Sequence, residues 1–157
     1  MTMRLVQLTL PENFTDNVLA LRGITKSVKR SNKGGWHSER CNRKTYSWAE
    51  SVIDNVQAVA GVTGDITCWY NINTGSDYNE WHHHERGATD EMCGVLYLQV
   101  PENAGHFEYE IKKEIFQIKP YAGLLLLFPD DLMHRVLPND GGGERVSMAF
   151  NFWKMLK

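Results

Sequence analysis

The apolar positions change their period once along the chain. Up to about Ala60 they recur every three or four residues in two stretches, and after Gly64 they fall into short alternating runs. Arg4 to Leu10 (RLVQLTL) alternates as a strand does, and Pro11 ends it. From Asn13 to about Arg30, Phe14, Val18, Leu21 and Ile24 lie at helical spacing, with Asn13 and Thr15 as candidate caps. Ser31 to Lys44 is polar around Gly34-Gly35 and reads as a loop. Tyr46 to Ala60 reads as a second helix with Trp48, Val52, Val56 and Val59 on its stripe and Gly61 as its stop.

The second part predicts strands over Asp65 to Asn73, Met92 to Val100, His106 to Ile111, Glu114 to Ile118, Leu124 to Phe128, His134 to Leu137 and Glu144 to Trp153. Gly and Pro separate them, at Gly75, Pro101, Gly105, Pro120 to Gly123, Pro129 and Pro138 to Gly143. Many short strands with such turns predict a mainly β fold of the jelly-roll kind, with the two helices covering one face of a sheet. A parallel α/β fold would need helices between these strands, and the pattern offers none. At 157 residues the chain makes one domain. Residues 1–62 would supply a strand and helical support, and 63–157 the jelly-roll core.

Composition narrows the function classes. A net charge of −2 gives no strong nucleic-acid footprint. The longest apolar run, Leu124 to Phe128, is far too short to span a membrane. Charges interrupt the first 30 residues, so no secretory leader is read there. Cys41, Cys68 and Cys93 are odd in number and form no CxxC, which points to a reducing compartment and a cytoplasmic location.

Candidate chemistry is concentrated in histidines. Trp81-His82-His83-His84-Glu85 holds three in a row. On a strand, one register aims His82 and His84 together and the other aims His83 and Glu85, and either pair suits a metal. His134 could complete three ligands and leave the opposite positions open. A hairpin folded about Asn139/Asp140 would set His134 opposite Arg145. The strand after it would then divide into a polar face of Arg145, Ser147, Ala149 and Asn151 and an apolar face of Val146, Met148, Phe150 and Phe152. A buried Arg on the polar face would need an anion, and its planar fork suits a carboxylate.

These residues resemble the iron(II)/2-oxoglutarate-dependent oxygenases. The resemblance runs through the H-x-H, Gly94-Val95-Leu96-Tyr97-Leu98, Pro101-Glu102-Asn103-Ala104-Gly105, Pro120-x-x-Gly123 with Leu124 to Pro129, His134, Pro138-Asn139 and Arg145-Val146-Ser147. With Gly34-Gly35-Trp36-His37-Ser38 and Trp69-Tyr70-Asn71-Ile72-Asn73 it covers roughly Ser31 to Trp153. It is most similar to the small bacterial and phage branch, related to prolyl hydroxylases. The resemblance implies a double-stranded β-helix (cupin-like) core. It implies iron(II) held by His82, His84 and His134, with 2-oxoglutarate as cosubstrate. Arg145 would pair the distal carboxylate of 2-oxoglutarate, assisted by Ser147 and Tyr97, and Asn71 would face its metal end. The implied reaction takes molecular oxygen, decarboxylates 2-oxoglutarate to succinate and hydroxylates an unknown prime substrate.

One position departs from the pattern. The superfamily usually has His-x-Asp or His-x-Glu, and the matching position here is His84. Slipping to His83 and Glu85 would restore a carboxylate, but the alignment of motifs favours His82 and His84. Two rivals stand beside this reading. One is a three-His cupin-type enzyme that does not use 2-oxoglutarate. The other is a non-catalytic β module that holds a metal or binds carbohydrate, with Trp36, Trp69 and Trp81 in an exposed row. Substrate choice would fall to the loops, chiefly Ser31 to Lys44 and Gly75 to Asp90. The first of these carries Lys33, Arg40, Arg43 and Lys44 against Glu39, which suits an anionic substrate or simply a solvated face. The edge of the first strand could pair with a second copy to form a homodimer.

Overall fold

The structure, a computed structural model, describes residues 3–84 and 92–155, with side chains described up to Phe152. Eleven strands form two antiparallel sheets among the described residues. The strands are β1 (Arg4–Gln7), β2 (Asn32–Lys33), β3 (Trp36–His37), β4 (Val62–Thr74), β5 (Tyr78–His82), β6 (Met92–Gln99), β7 (Phe107–Ile111), β8 (Glu114–Ile118), β9 (Leu124–Pro129), β10 (Met133–Val136) and β11 (Glu144–Met155). The larger sheet has the order β1-β9-β6-β11-β4-β3 and the smaller β2-β5-β10-β7-β8. Helices α1 (Phe14–Leu21) and α2 (Glu50–Ala60) complete the fold. This is the jelly-roll arrangement that the strand pattern predicts.

The larger sheet is buried on both faces. Its outer face packs Ile72, Leu96, Val146, Met148 and Phe150 against Phe14, Val18, Val52, Ile53 and Val56 of the helices. Its inner face, with Leu124, Leu126 and Phe128, meets Phe107 of the smaller sheet. β9 therefore reads as an unbroken apolar run because each side of it meets a core. Each such leucine contributes about 1.5–3 kcal/mol when fully buried. On β11 the two faces fall as the alternation predicts. Val146, Met148, Phe150 and Phe152 belong to the helix-side core, while Arg145, Ser147, Ala149 and Asn151 line a cavity between the sheets.

Several expectations need correction. The first strand stops at Gln7 rather than Leu10. The first helix ends at Leu21, not near Arg30. Gly23 follows at once, and Ile24, the last position of the predicted stripe, is 77% exposed. Asn13 precedes the helix in a left-handed conformation and makes no side-chain cap. Ser47–Ala49 forms a short 3-10 turn ahead of α2. The segment Ser31 to Lys44 is not only loop. Gly34 and Gly35, both at positive φ, carry the chain from β2 in one sheet to β3 in the other. Strands β1 to β3 thus draw the first 62 residues into both sheets.

The largest correction concerns the last hairpin. β10 and β11 do not pair. His134 stands opposite His82 and Tyr109, and Arg145 stands opposite Asn73. Strands that are neighbours in sequence usually pair, but here the connection crosses between sheets. Asn139 is not an exposed turn tip. Its side chain is buried and bonds the Gly105 N–H, the Asn73 carbonyl and Arg145.

Candidate active site

The cavity between the sheets has a volume of about 470 Å³. Its floor is the inner face of three adjacent strands. In register, Asn73 faces Arg145, and Asn71, Ser147 and Tyr97 form the next row. Trp69, Ala149 and Val95 form the third row, and Thr67, Asn151 and Cys93 the fourth. Alternation along β4, β6 and β11 therefore gathers the predicted residues Arg145, Ser147, Tyr97 and Asn71 at one end of one surface.

The histidines stand at the other end. The metal-binding atoms of His82, His84 and His134 lie within 4.8 Å of one another, so the three could hold a metal. Ring centroids are 4.1 Å apart for His82–His134 and 5.1 Å for both other pairs. A bulge in β5 makes this convergence. Between the pairs His134–His82 and Val136–Asn79, β5 holds one residue more than β10. Asn79 and His82, three residues apart, consequently both line the cavity. His84 follows the strand and is fixed by its N–H to the Asp130 carbonyl at 2.8 Å. His83 is exposed. Glu85 lies outside the described residues, as does the loop Gly75 to Asp90 from residue 85 on.

Each imidazole is oriented by a bond at Nδ1. His82 Nδ1 meets the Glu80 carbonyl at 2.6 Å and His134 Nδ1 meets the Leu132 carbonyl at 2.8 Å. A carbonyl only accepts, so both Nδ1 atoms carry the proton and both Nε2 atoms keep a lone pair. His84 Nδ1 lies 2.9 Å from Asn151 Oδ1 and is arranged likewise. Such outer bonds fix the tautomer that a metal needs. Burial, followed by the charges of His82 and His84, holds His134 well below the usual histidine range. Burial also lowers His82. Both are thus neutral. Phe107 stacks on His134 at 5.3 Å and Phe128 meets it at 4.9 Å, closing an apolar wall.

At the far end Arg145 is only 2% exposed. Its Nη1 reaches the Gly105 and Leu137 carbonyls, both at 3.1 Å, and Asn139 Oδ1 at 3.0 Å. Its Nη2 has no partner, and no carboxylate lies within ion-pair distance among the described residues. The buried hydroxyl of Tyr97 and Oδ1 of Asn71 are also without partners. Burial pushes the Tyr97 phenol up to about 12, against the pull of Arg145, so it keeps its proton as a donor. This end therefore offers a cation, a phenolic donor and a serine to an anion.

Asn139 and Gly105 fall within motifs that carry the resemblance and Asn151 falls on the predicted polar face, but the sequence pattern assigns none of the three a role in the site. The exposed row of Trp36, Trp69 and Trp81 that would mark the non-catalytic rival is absent. Trp36 sits in the helix-side core, Trp69 lines the cavity, and Trp81 is half-buried under the Arg135 guanidinium at 4.6 Å.

Comparison with known proteins agrees with this arrangement. The profile of the family described as "Putative 2OG-Fe(II) oxygenase" matches residues 107–151, a stretch that holds His134, Arg145 and Ser147. It is the family that the sequence motifs resemble. No curated protein matches the chain. Among solved structures, a prolyl-4-hydroxylase from Pseudomonas putida is similar with a TM-score of 0.71 at 18% identity, over 99% of this chain and 93% of that one. The viral collagen prolyl hydroxylase from Paramecium bursaria Chlorella virus-1, in its 2-oxoglutarate complex, gives 0.70 at 14% identity, over 98% and 96%. A prolyl hydroxylase from Trichoplax adhaerens, in complex with a peptide fragment of the hypoxia inducible factor oxygen degradation domain, gives 0.72 at 15% identity, over 97% and 83%. At these identities the likeness is one of fold, the double-stranded β-helix of 2-oxoglutarate oxygenases.

Proposed function

We propose that the protein is a non-haem iron(II)- and 2-oxoglutarate-dependent oxygenase that hydroxylates a prime substrate. The observation that carries this reading is Arg145. A buried guanidinium without a carboxylate partner is costly, and this one faces the same cavity as three convergent imidazoles. A dicarboxylate whose far end meets Arg145 would satisfy Nη2 and the Tyr97 hydroxyl together.

The donor set fits a divalent transition metal. His82, His84 and His134 would hold it through Nε2, and three neutral imidazoles suit iron(II), zinc or nickel. When bound, iron(II) would supply the oxygen chemistry that couples decarboxylation of 2-oxoglutarate to hydroxylation. The chain's own part is positional. Asn151, Glu80 and Leu132 aim the imidazoles, Asn139 and Gly105 aim Arg145, and Phe107 and Phe128 keep water from the wall beside His134.

The test is an anaerobic titration of iron(II)-loaded protein with 2-oxoglutarate, following the visible charge-transfer band of the chelate. A saturable band is expected. Arg145→Ala should weaken 2-oxoglutarate by about a hundredfold or more while metal stays bound. Equal affinity in variant and wild type would remove Arg145 from the role. The absence of a carboxylate in the three-His set favours the second reading, a cupin-type metalloenzyme in which Arg145 holds a substrate carboxylate directly. Stoichiometric metal with no 2-oxoglutarate band would select it.

A further inference from the structure

Two of the three cysteines face each other outside the candidate active site. Cys41, in the segment that follows β3, forms an isolated antiparallel bridge with Cys68 of β4. Two backbone bonds close the bridge. The Cys41 N–H donates to the Cys68 carbonyl at 2.7 Å, and the Cys68 N–H donates to the Cys41 carbonyl at 2.9 Å. Residues that exchange both bonds stand directly opposite, with Cα atoms about 5.5 Å apart and side chains on one face. A disulfide spans about 4.4–6.8 Å between Cα atoms, so this pair can be joined without moving the backbone. Neighbouring bonds hold the register. The Ser38 N–H donates to the Tyr70 carbonyl and the Tyr70 N–H to the Ser38 hydroxyl, both at 2.9 Å.

Both thiols are free and lie in the helix-side core, Cys41 7% exposed and Cys68 fully buried. The proposed reaction uses neither. Cys93 belongs to the opposite face of the sheet, beside His84. The two facing thiols also act on each other. Contact with the Cys68 thiol draws Cys41 below the usual thiol range, with burial opposing it. The same contact, together with burial, pushes Cys68 up. Cys41 is thus the readier thiolate and the one that retains some access to solvent, while Cys68 stands beside it as a resolving thiol.

We propose that Cys41 and Cys68 are an oxidation site, a dithiol that peroxide converts to a disulfide. The Cys41 thiolate attacks one peroxide oxygen, the O–O bond breaks, and the hydroxide released takes up the Cys41 proton as water. Cys41 is then a sulfenic acid. The Cys68 sulfur attacks the Cys41 sulfur, the S–S bond forms and the S–O bond breaks. The second hydroxide leaves with the Cys68 proton as water. Two electrons pass from the sulfurs to peroxide. The bond closes the chain from Cys41 to Cys68, which carries α2. It also ties the segment behind β3 to β4, where His37 of β3 stacks on Trp69, the residue after Cys68. One wall of the cavity becomes covalently fixed. The pair stands whether or not the cavity takes 2-oxoglutarate.

Full-length protein, kept free of iron so that peroxide starts no radical chemistry, is treated with hydrogen peroxide, alkylated and digested. The expected product is one peptide pair joining Cys41 to Cys68, two hydrogens lighter than the separate thiols, with Cys93 alkylated. Dithiothreitol should restore all 3 thiols. The oxidised protein should unfold at a thermal midpoint roughly 5–15 °C higher than the reduced one. Cys93→Ala should form the same link. Cys68→Ala removes the resolving thiol, so Cys41 should stop at the sulfenic acid and be labelled by dimedone. If that core variant does not fold, the linkage map of wild type and of Cys93→Ala decides. A link that forms only in denaturant, a link made chiefly to Cys93, or no link at all would overturn the proposal. So would an oxidised midpoint that does not rise, because the bond would then distort the bridge instead of fitting it.

Discussion

Arg145 shows how a single charge is set for use. Its Nη1 is saturated by three oxygens, and the partnerless Nη2 is left toward the cavity. Two of those oxygens depend on Gly105, whose carbonyl accepts from Arg145 and whose N–H holds Asn139. A Cβ on Gly105 would overlap the Leu137 carbonyl and the Pro138 carbonyl, both backbone atoms that cannot step aside. Gly105→Ala is therefore expected to cost about 3 kcal/mol or more. It should also weaken 2-oxoglutarate further than the stability loss alone accounts for, because the Arg145 cradle moves. Denaturant unfolding and 2-oxoglutarate titration of the same samples check this, and a variant as stable as wild type would refute it. At this scale the sequence displays the charged partner and hides its support. Alternation exposes Arg145 and Ser147, whereas Asn139 looks like an ordinary turn residue until its long-range contacts exist.

Strict alternation could not choose between His82/His84 and His83/Glu85, and β5 shows why. Counted inward from Asn79, a regular strand would aim Trp81 and His83 at the cavity. The extra residue before His82 reverses the count and turns His82 inward. A bulge has no pattern of its own in one sequence, so the motif resemblance had to select between two pairs that periodicity left open. The missed hairpin has a related cause. Periodicity gives a strand and its faces, while the partner strand depends on where the connection travels. The consequence is testable through zinc or cobalt affinity. His83→Ala should bind metal within about twofold of wild type, whereas His82→Ala and His84→Ala should each weaken it by about a hundredfold or more, beyond the usual cost of losing only an outer support. A large loss at His83 with little at His84 would show that the other register binds.

The whole molecule encloses imidazoles between two sheets, and that ties its stability to pH. Burial is the first cause of the lowered proton affinity of His37, His82 and His134. In the unfolded chain each titrates near the ordinary 6.5. Above that range both states are neutral and the groups leave no pH dependence. As pH falls below it, the unfolded chain takes up protons that the folded chain refuses, so unfolding is favoured. Each such imidazole contributes up to about 1.4 kcal/mol per pH unit until the folded form is protonated as well. Carboxylates act lower. Burial opposes ionisation of Glu108, but bonds from Gln117 and Arg135 outweigh it and lower its proton affinity, so its stabilising share is lost only as pH passes below the ordinary glutamate range. Metal-free protein is therefore expected to lose thermal stability from about pH 6.5 downward, before any carboxylate titrates. Zinc should raise the midpoint at neutral pH and make the acid limb steeper, because binding requires the same neutral rings. Thermal unfolding across this range, with and without zinc, checks both limbs. A metal-free midpoint that stays level from pH 7 to about pH 5 would mean that the three rings are solvated enough to accept protons in the folded state. The dry wall beside His134 would then not exclude water.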